Sequence, residues 1–181
     1  MLGHHIKARV LTVVALGAAM AGSAVGPAWA EPGPKASPRA VHALSGPTYV
    51  VNSATGLCMT VHGGSRAKGA KVDLYRCVGA TNQKWTILST TGVLYELVNQ
   101  HSGMCLDVLG GSKKNGARLG QWPCNGKTNQ SFQLYGAAGK RDFYLLAPRG
   151  NKYVQPKYHD RRSNNPVHQW GSKGTWAKWH H

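Results

Sequence analysis

A chain of 181 residues with 22 Lys and Arg against 6 Asp and Glu carries a formal charge of +16 and has room for one domain or two small ones. Its apolar fraction of 41% is too high for a disordered chain, past the N-terminus no apolar run is long enough to span a bilayer, and six acids count against a carboxylate-driven enzyme. Such a charge draws the protein to polyanions whether or not that is its task.

Residues 1–30 read as a secretory signal. His4, His5, Lys7 and Arg9 form a positive start, Val10 to about Val25 is apolar, and Ala28-Trp29-Ala30 supplies a small-x-small cleavage pattern before Glu31. An N-terminal membrane anchor is the alternative; the shortness of the apolar stretch and its Gly and Ser interruptions favour the signal. Its removal takes away Lys7 and Arg9 and leaves a net charge of +14. Residues 31–47 contain Pro32, Pro34, Pro38 and Pro47 without any period and read as a flexible linker, so the folded unit is expected from Thr48 to His181. The expected location is extracellular.

An exported chain with four cysteines is expected to hold two disulfides. Cys58 and Cys77 are 19 residues apart, as are Cys105 and Cys124, and the equal intervals favour two copies of one local staple among the three pairings open. No Cys-x-x-Cys and no His/Cys cluster suggests a metal site, and no cofactor is expected.

The equal cysteine intervals belong to a longer repeat. Cys58-Met59-Thr60-Val61 matches Cys105-Leu106-Asp107-Val108, and His62-Gly63-Gly64-Ser65 matches Leu109-Gly110-Gly111-Ser112. Thr81-Asn82-Gln83-Lys84-Trp85 then matches Thr128-Asn129-Gln130-Ser131-Phe132, every pair in the one register of 47 residues. A third copy lacks the cysteines: Tyr153 and Ser172 stand in their places. Thr60 to Tyr75, Asp107 to Trp122 and Gln155 to Trp170 each span 15 residues. Strands are expected at Tyr49–Val51, Lys84–Leu88, Leu94–Val98 and Phe143–Leu146, between clusters of Gly, Asn and Ser, and no amphipathic helix is visible. Units of about 45 residues cannot bury their apolar faces alone, so three of them sharing one core predict a closed, three-fold, all-β fold.

Cys-Leu-Asp-Val, an aromatic two residues before a cysteine, and Asn-Gln-x-aromatic in repeating order resemble the ricin B-chain type lectin domain, a carbohydrate-binding module of secreted bacterial proteins. The resemblance spans residues 48–181, is strong in the first two repeats and weaker in the third. It implies a β-trefoil of six barrel strands and three capping hairpins, and the binding of galactose- or xylose-containing glycans. A carboxylate can accept two sugar hydroxyls, an aromatic ring covers the C–H face, and side-chain amides serve neighbouring hydroxyls. Carried over by position, the resemblance gives a sugar site of Asp107, Trp122, Asn129 and Gln130, with Gly120 where the family has a polar glutamine. The first repeat keeps Tyr75, Asn82 and Gln83 but has Thr60 for the carboxylate, which makes a weaker second site; Asp73 could substitute from another angle. The third has Gln155 for the carboxylate and Trp176-Ala177 for Asn-Gln, and is read as carrying no site.

Structural readings of the same residues stand beside these. Trp85, Phe132 and Trp179 suit the core. Gln83 and Gln130 could serve backbone hydrogen bonds as much as sugar, Trp122 could pack on its neighbouring disulfide, and Asp107 could be a turn residue. Gly126-Lys127-Thr128 is no phosphate loop, since Gln121 stands where that motif needs its first glycine. No carboxylate pair or nucleophile elbow points to catalysis, and the expectation is a monomeric binding protein. The competing function is an electrostatic binder of nucleic acid, teichoic acid or sulfated glycan, with no sequence-specific nucleic-acid reading. It rests on Lys152, Lys157, Arg161, Arg162, Lys173 and Lys178 interleaved with Tyr153, Tyr158, Trp170, Trp176 and Trp179.

Overall fold

The computed structural model describes residues 42–44, 46–136 and 142–181. The signal reading of residues 1–30 and most of the linker lie outside the described residues. Fourteen strands are present among those described, and the only helical pieces there are single 3₁₀ turns. The strands are β1 His42–Ala43, β2 Thr48–Tyr49, β3 Val51–Asn52, β4 Cys58–Val61, β5 Val72–Tyr75, β6 Lys84–Ser89 and β7 Tyr95–Asn99. They continue as β8 Cys105–Val108, β9 Leu119–Trp122, β10 Gln133–Tyr135, β11 Phe143–Ala147, β12 Lys152–Pro156, β13 Asn165–Trp170 and β14 Lys178–His180.

Ordered pairing starts before Thr48. His42 and Ala43 lie opposite Ser89 and Leu88 of β6, and the Leu44 N–H donates to Ile87 O at 2.9 Å. The tether read over 31–47 therefore ends too late: a short run with strand-forming neighbours covers the free edge of β6, satisfying backbone groups that would otherwise face solvent. The four strand expectations are met with small shifts, and the first is split into β2 and β3 around fully buried Val50.

One sheet runs β1–β6–β7–β8–β9, with β2 also on β6. The other runs β10–β11–β12–β13–β5–β4–β3–β14, and pairing of β14 with β11 closes its path on itself. The three-fold repeat is visible in the register of the hairpins β4–β5, β8–β9 and β12–β13. Cys58 faces Tyr75, Cys105 faces Trp122 and Tyr153 faces Trp170; two residues on, Thr60 faces Asp73, Asp107 faces Gly120 and Gln155 faces His168. Both disulfides form as the spacing suggests, Cys58–Cys77 and Cys105–Cys124. Each closes a short loop, a constraint on the unfolded chain worth on the order of 3 kcal/mol.

The core sits between the repeats. Alternation along β6 turns Trp85 and Ile87 inward and leaves Lys84 and Thr86 partly exposed. Trp85, Phe132 and Trp179 are fully buried at equivalent positions among Met59, Leu74, Leu97, Leu106, Leu119, Leu145 and Val154. The indole N–H groups of Trp85 and Trp179 donate to Met59 O and Val154 O, each at 2.9 Å, so the buried polar atom of each ring is satisfied by the hairpin it packs under. Trp179, counted above among the aromatic platforms for a polyanion, is core.

Two buried glutamines join neighbouring repeats. Gln121 Nε2 donates to Ser65 O and Ala67 O, and Gln169 Nε2 donates to Ser112 O and Lys114 O. These bonds hold the loop after one hairpin strand against the next repeat, and it is those loops that flank the cavities described below.

Candidate functional site

The 3₁₀ turns that follow the first two hairpins, Thr81–Gln83 and Thr128–Gln130, present side chains to a cavity, whereas the equivalent turn of the third repeat, Thr175–Ala177, does not line the cavity there. In the second repeat the cavity is about 370 Å³ and is lined by Asp107, Gly110, Gly111, Trp122, Asn125, Lys127, Asn129 and Arg149. Strand β8 places Asp107 with its side chain buried, 3% exposed, and β9 ends on Trp122, 39% exposed. The turn brings two amides onto one carboxylate oxygen: Asn129 Nδ2 and Gln130 Nε2 donate to Asp107 Oδ2 at 2.7 and 2.9 Å. Oδ1 accepts no hydrogen bond from the described residues. Burial raises the Asp107 carboxyl above its ordinary value, while the Gln130 and Asn129 donors pull it back down.

Three of the four expected second-repeat residues meet at this cavity. Gln130 does not line it. Fully buried, it donates to Pro123 O at 3.1 Å as well as to Asp107, and its Oε1 accepts the Asn125 N–H at 2.9 Å. It is a positioning residue that fixes the carboxylate and the turn. Trp122 stands opposite the half-cystine Cys105 in the hairpin and still keeps about two-fifths of its surface open at the cavity.

The reason for Gly120 is now physical. A Cβ there would stand 2.7 Å from Ala70 O and 2.9 Å from both Leu109 methyl carbons. The place of the family glutamine is filled from two sides by backbone and by Leu109, so no side chain fits without a second change. Lys127 and Arg149 line the cavity as well, and neither was expected. Arg149 comes from the opening of the third repeat and donates to Thr128 Oγ1 at 3.3 Å, as His101 meets Thr81 Oγ1 at 3.1 Å one repeat earlier. His101 stands 16 residues past Trp85 and Arg149 stands 17 past Phe132, so the repeat register by itself does not mark it.

In the first repeat, Tyr75, Asn82 and Gln83 do gather at a cavity of about 510 Å³ with Thr60, His62 and Asp73. Their polar atoms are largely committed. Asn82 Nδ2 donates to Val61 O at 2.9 Å, and Gln83 Nε2 donates to Arg76 O and to Thr60 Oγ1. Asp73 is no substitute carboxylate: buried, it holds His62 Nδ1 at 2.6 Å on one oxygen and the Arg118 guanidinium of the second repeat on the other. The third repeat, read as empty of a site, holds the roomiest of these cavities, about 750 Å³ around Gln155, His168 and Trp170. No group of three or more His, Cys, Asp or Glu side chains able to hold a metal ion exists among the described residues.

His168 in that cavity makes a pH prediction. Burial, and then the positive charge of Lys157, His159 and Arg118, lower its pKa to about 4 from the ordinary 6.5. Between those values the unfolded chain binds the proton and the folded chain does not, so stability rises with pH across the window and is lost on acidification. Urea unfolding from pH 7 to pH 4 is expected to show a loss of about 3 kcal/mol at most from this group. His168→Gln is expected to flatten that part of the profile.

With the hairpin registers and the three turns in place, comparison with known proteins is direct. The family model described as ricin-type beta-trefoil lectin domain-like matches residues 42–122 and 81–170. The chain belongs to the ricin-type β-trefoil lectin family. Among solved trefoils, the designed three-fold symmetric protein ThreeFoil is 28% identical at a TM-score of 0.72, covering 75% of this chain and 97% of its own. An exo-beta-1,3-galactanase from Clostridium thermocellum is 25% identical at a TM-score of 0.70; the match covers 74% of this chain and only 29% of the galactanase. A ricin B-like lectin from Macrolepiota procera, solved with lactose, shares the trefoil fold at 20% identity and a TM-score of 0.62, covering 75% and 93% of the two chains. A search of curated proteins finds no match.

Proposed function

We propose that this trefoil lectin is an exported, non-catalytic, monomeric carbohydrate-binding protein that holds a galactose- or xylose-type sugar in the cavity of its second repeat. One observation carries the reading: two amides fix Oδ2 of buried Asp107 and leave Oδ1 unpartnered in a cavity that also holds an exposed Trp122. A held carboxylate oxygen is a strong acceptor for a sugar hydroxyl, and an exposed indole is a platform for the C–H face of the ring. Asn129 braces the carboxylate from the cavity rim, and Lys127 and Arg149 are donors for further ring or glycosidic oxygens. Galactose is favoured by the company the fold keeps, a lectin solved with lactose and a galactanase. Tyr75, Asn82 and Gln83 form at most a weaker site, because no free carboxylate accompanies them.

A single shallow site of this kind is expected to bind one sugar unit at about millimolar strength, roughly −4 kcal/mol, and to gain from polymeric ligands. The test is a glycan array probed with the purified protein at physiological and at high salt. The expected result is signal on neutral galacto- or xylo-type glycans that survives salt. Signal confined to anionic polymers and lost in salt would overturn the reading in favour of charge alone.

A further inference from the structure

The third-repeat cavity differs from its two counterparts in chemistry as well as in size. Where the second repeat has Asp107, it has Gln155, buried at 4% exposure, whose side chain makes no hydrogen bond among the described residues. Across the hairpin, where the other repeats have Asp73 and Gly120, it has His168, whose ring stacks on Trp170 at 5.6 Å between centroids and 20° between planes. Trp170 is 40% exposed, the counterpart of Trp122. The position of His62 and Leu109 is Lys157 here, and Lys71 and Arg118 reach the same cavity from the first and second repeats. No Asp or Glu lines it.

Polar groups behind the wall of this cavity are left without partners. His168 Nε2 and the Nε and Nη1 atoms of Arg118 are buried and bond to no protein atom among the described residues. Buried polar atoms of this kind cost stability unless something meets them. Arg118 spends its remaining nitrogen, Nη2, on Asp73, so its charge is anchored while two N–H groups remain uncommitted. Cations gathered around an exposed indole, with an amide in place of the carboxylate, form a receptor of inverted polarity: it repels nothing anionic and offers donors where the second repeat offers an acceptor.

We propose that the third-repeat cavity binds an acidic sugar unit, its ring stacked on Trp170 and its anionic group held by Lys71 and Lys157. The site is separate from the second-repeat cavity and stands whether or not that cavity takes a neutral sugar. The chemistry required is a pyranose bearing an anionic substituent, and a carboxylate or a sulfate would supply it.

The experiment is an NMR titration of the purified protein that follows the indole N–H signals of Trp170 and Trp122 separately, at 0.15 M salt as a rough physiological value. Three probes are used: galacturonate trisaccharide, a sulfated galacto-trisaccharide and neutral galactotriose. Saturable shifts of the Trp170 signal are expected with an acidic probe and not with the neutral one. A response to only one acidic probe upholds the proposal and names the acid group. Trp170→Ala, followed by intrinsic binding heat because its reporter is gone, and the exposed double variant Lys71→Gln/Lys157→Gln are each expected to weaken acidic-probe binding by about ten-fold or more. Asp107→Ala is expected to leave it unchanged while abolishing any Trp122 response, so failure at one site is distinguishable from failure at the other. No Trp170 response to either acid, an equal response to neutral galactotriose, or acidic binding that both variants leave intact would each overturn the proposal.

Discussion

Asp107→Ala is expected to remove detectable sugar binding from the second repeat while the protein stays folded. The carboxylate is the acceptor around which Asn129 and Gln130 are arranged, and no other acid lines that cavity. Its loss nonetheless strands little. Gln130 keeps Pro123 O and the Asn125 N–H as partners, and partly exposed Asn129 reaches water. The stability change is expected to be about 1 kcal/mol or less. The carboxyl titrates above its ordinary 3.8 because it is buried, so sugar affinity should fall on acidification through a midpoint higher than that value. The stability effect of the same group has the opposite sign. Between 3.8 and the raised folded value, the folded state holds a proton that the unfolded state has released, so ionisation with rising pH weakens the fold. Calorimetric titration with a galacto-oligosaccharide, with unfolding monitored in parallel, checks both. Undiminished affinity in a folded Asp107→Ala protein would remove Asp107 from the site.

Trp85→Ala is expected to do the reverse, with a stability loss of about 3–5 kcal/mol. Its ring is fully buried beneath the first hairpin, and its indole N–H is the partner of Met59 O. Truncation leaves a cavity and an orphaned carbonyl together. For a domain of this size the midpoint of thermal unfolding should drop by roughly 10 °C or more. Trp122→Ala is the control: an exposed indole whose removal should change stability by no more than about 0.5 kcal/mol while sugar binding is lost. A Trp85→Ala protein that melts like the parent would contradict the shared core from which the three-fold arrangement was argued.

The contrast between these two tryptophans was legible in the sequence because the repeat assigns each a different offset from the cysteines. The same register supplied the disulfides, and the family resemblance grouped Asp107 with Asn129, which lies against it. The register failed wherever a residue's partner belongs to another repeat. Asp73 meets His62 within its own repeat, but its second oxygen is taken by Arg118, 45 residues on, and that partner the repeat does not reveal. Gly120 looks like a lost contact until Ala70 and Leu109 are placed against it. Gln130 falls on a ligand-binding position of the family, yet its amide is spent on Asp107, Pro123 O and the Asn125 N–H, since a position in the repeat does not fix the depth of a side chain. The third repeat was judged by what it lacks. Gln155, Lys157 and His168 sit at the positions that form the other two cavities, and their chemistry is a replacement rather than a loss.

Arg149 and Lys68 tie the second repeat's site to the repeats on either side of it. Lys68, whose Nζ lies 5.7 Å from the centre of the Trp122 ring, belongs to the first repeat, and Arg149 belongs to the third. Trp122 and the cavity it lines thus meet residues of all three units. The second repeat taken by itself would carry Asp107, Trp122 and Asn129 without these neighbours.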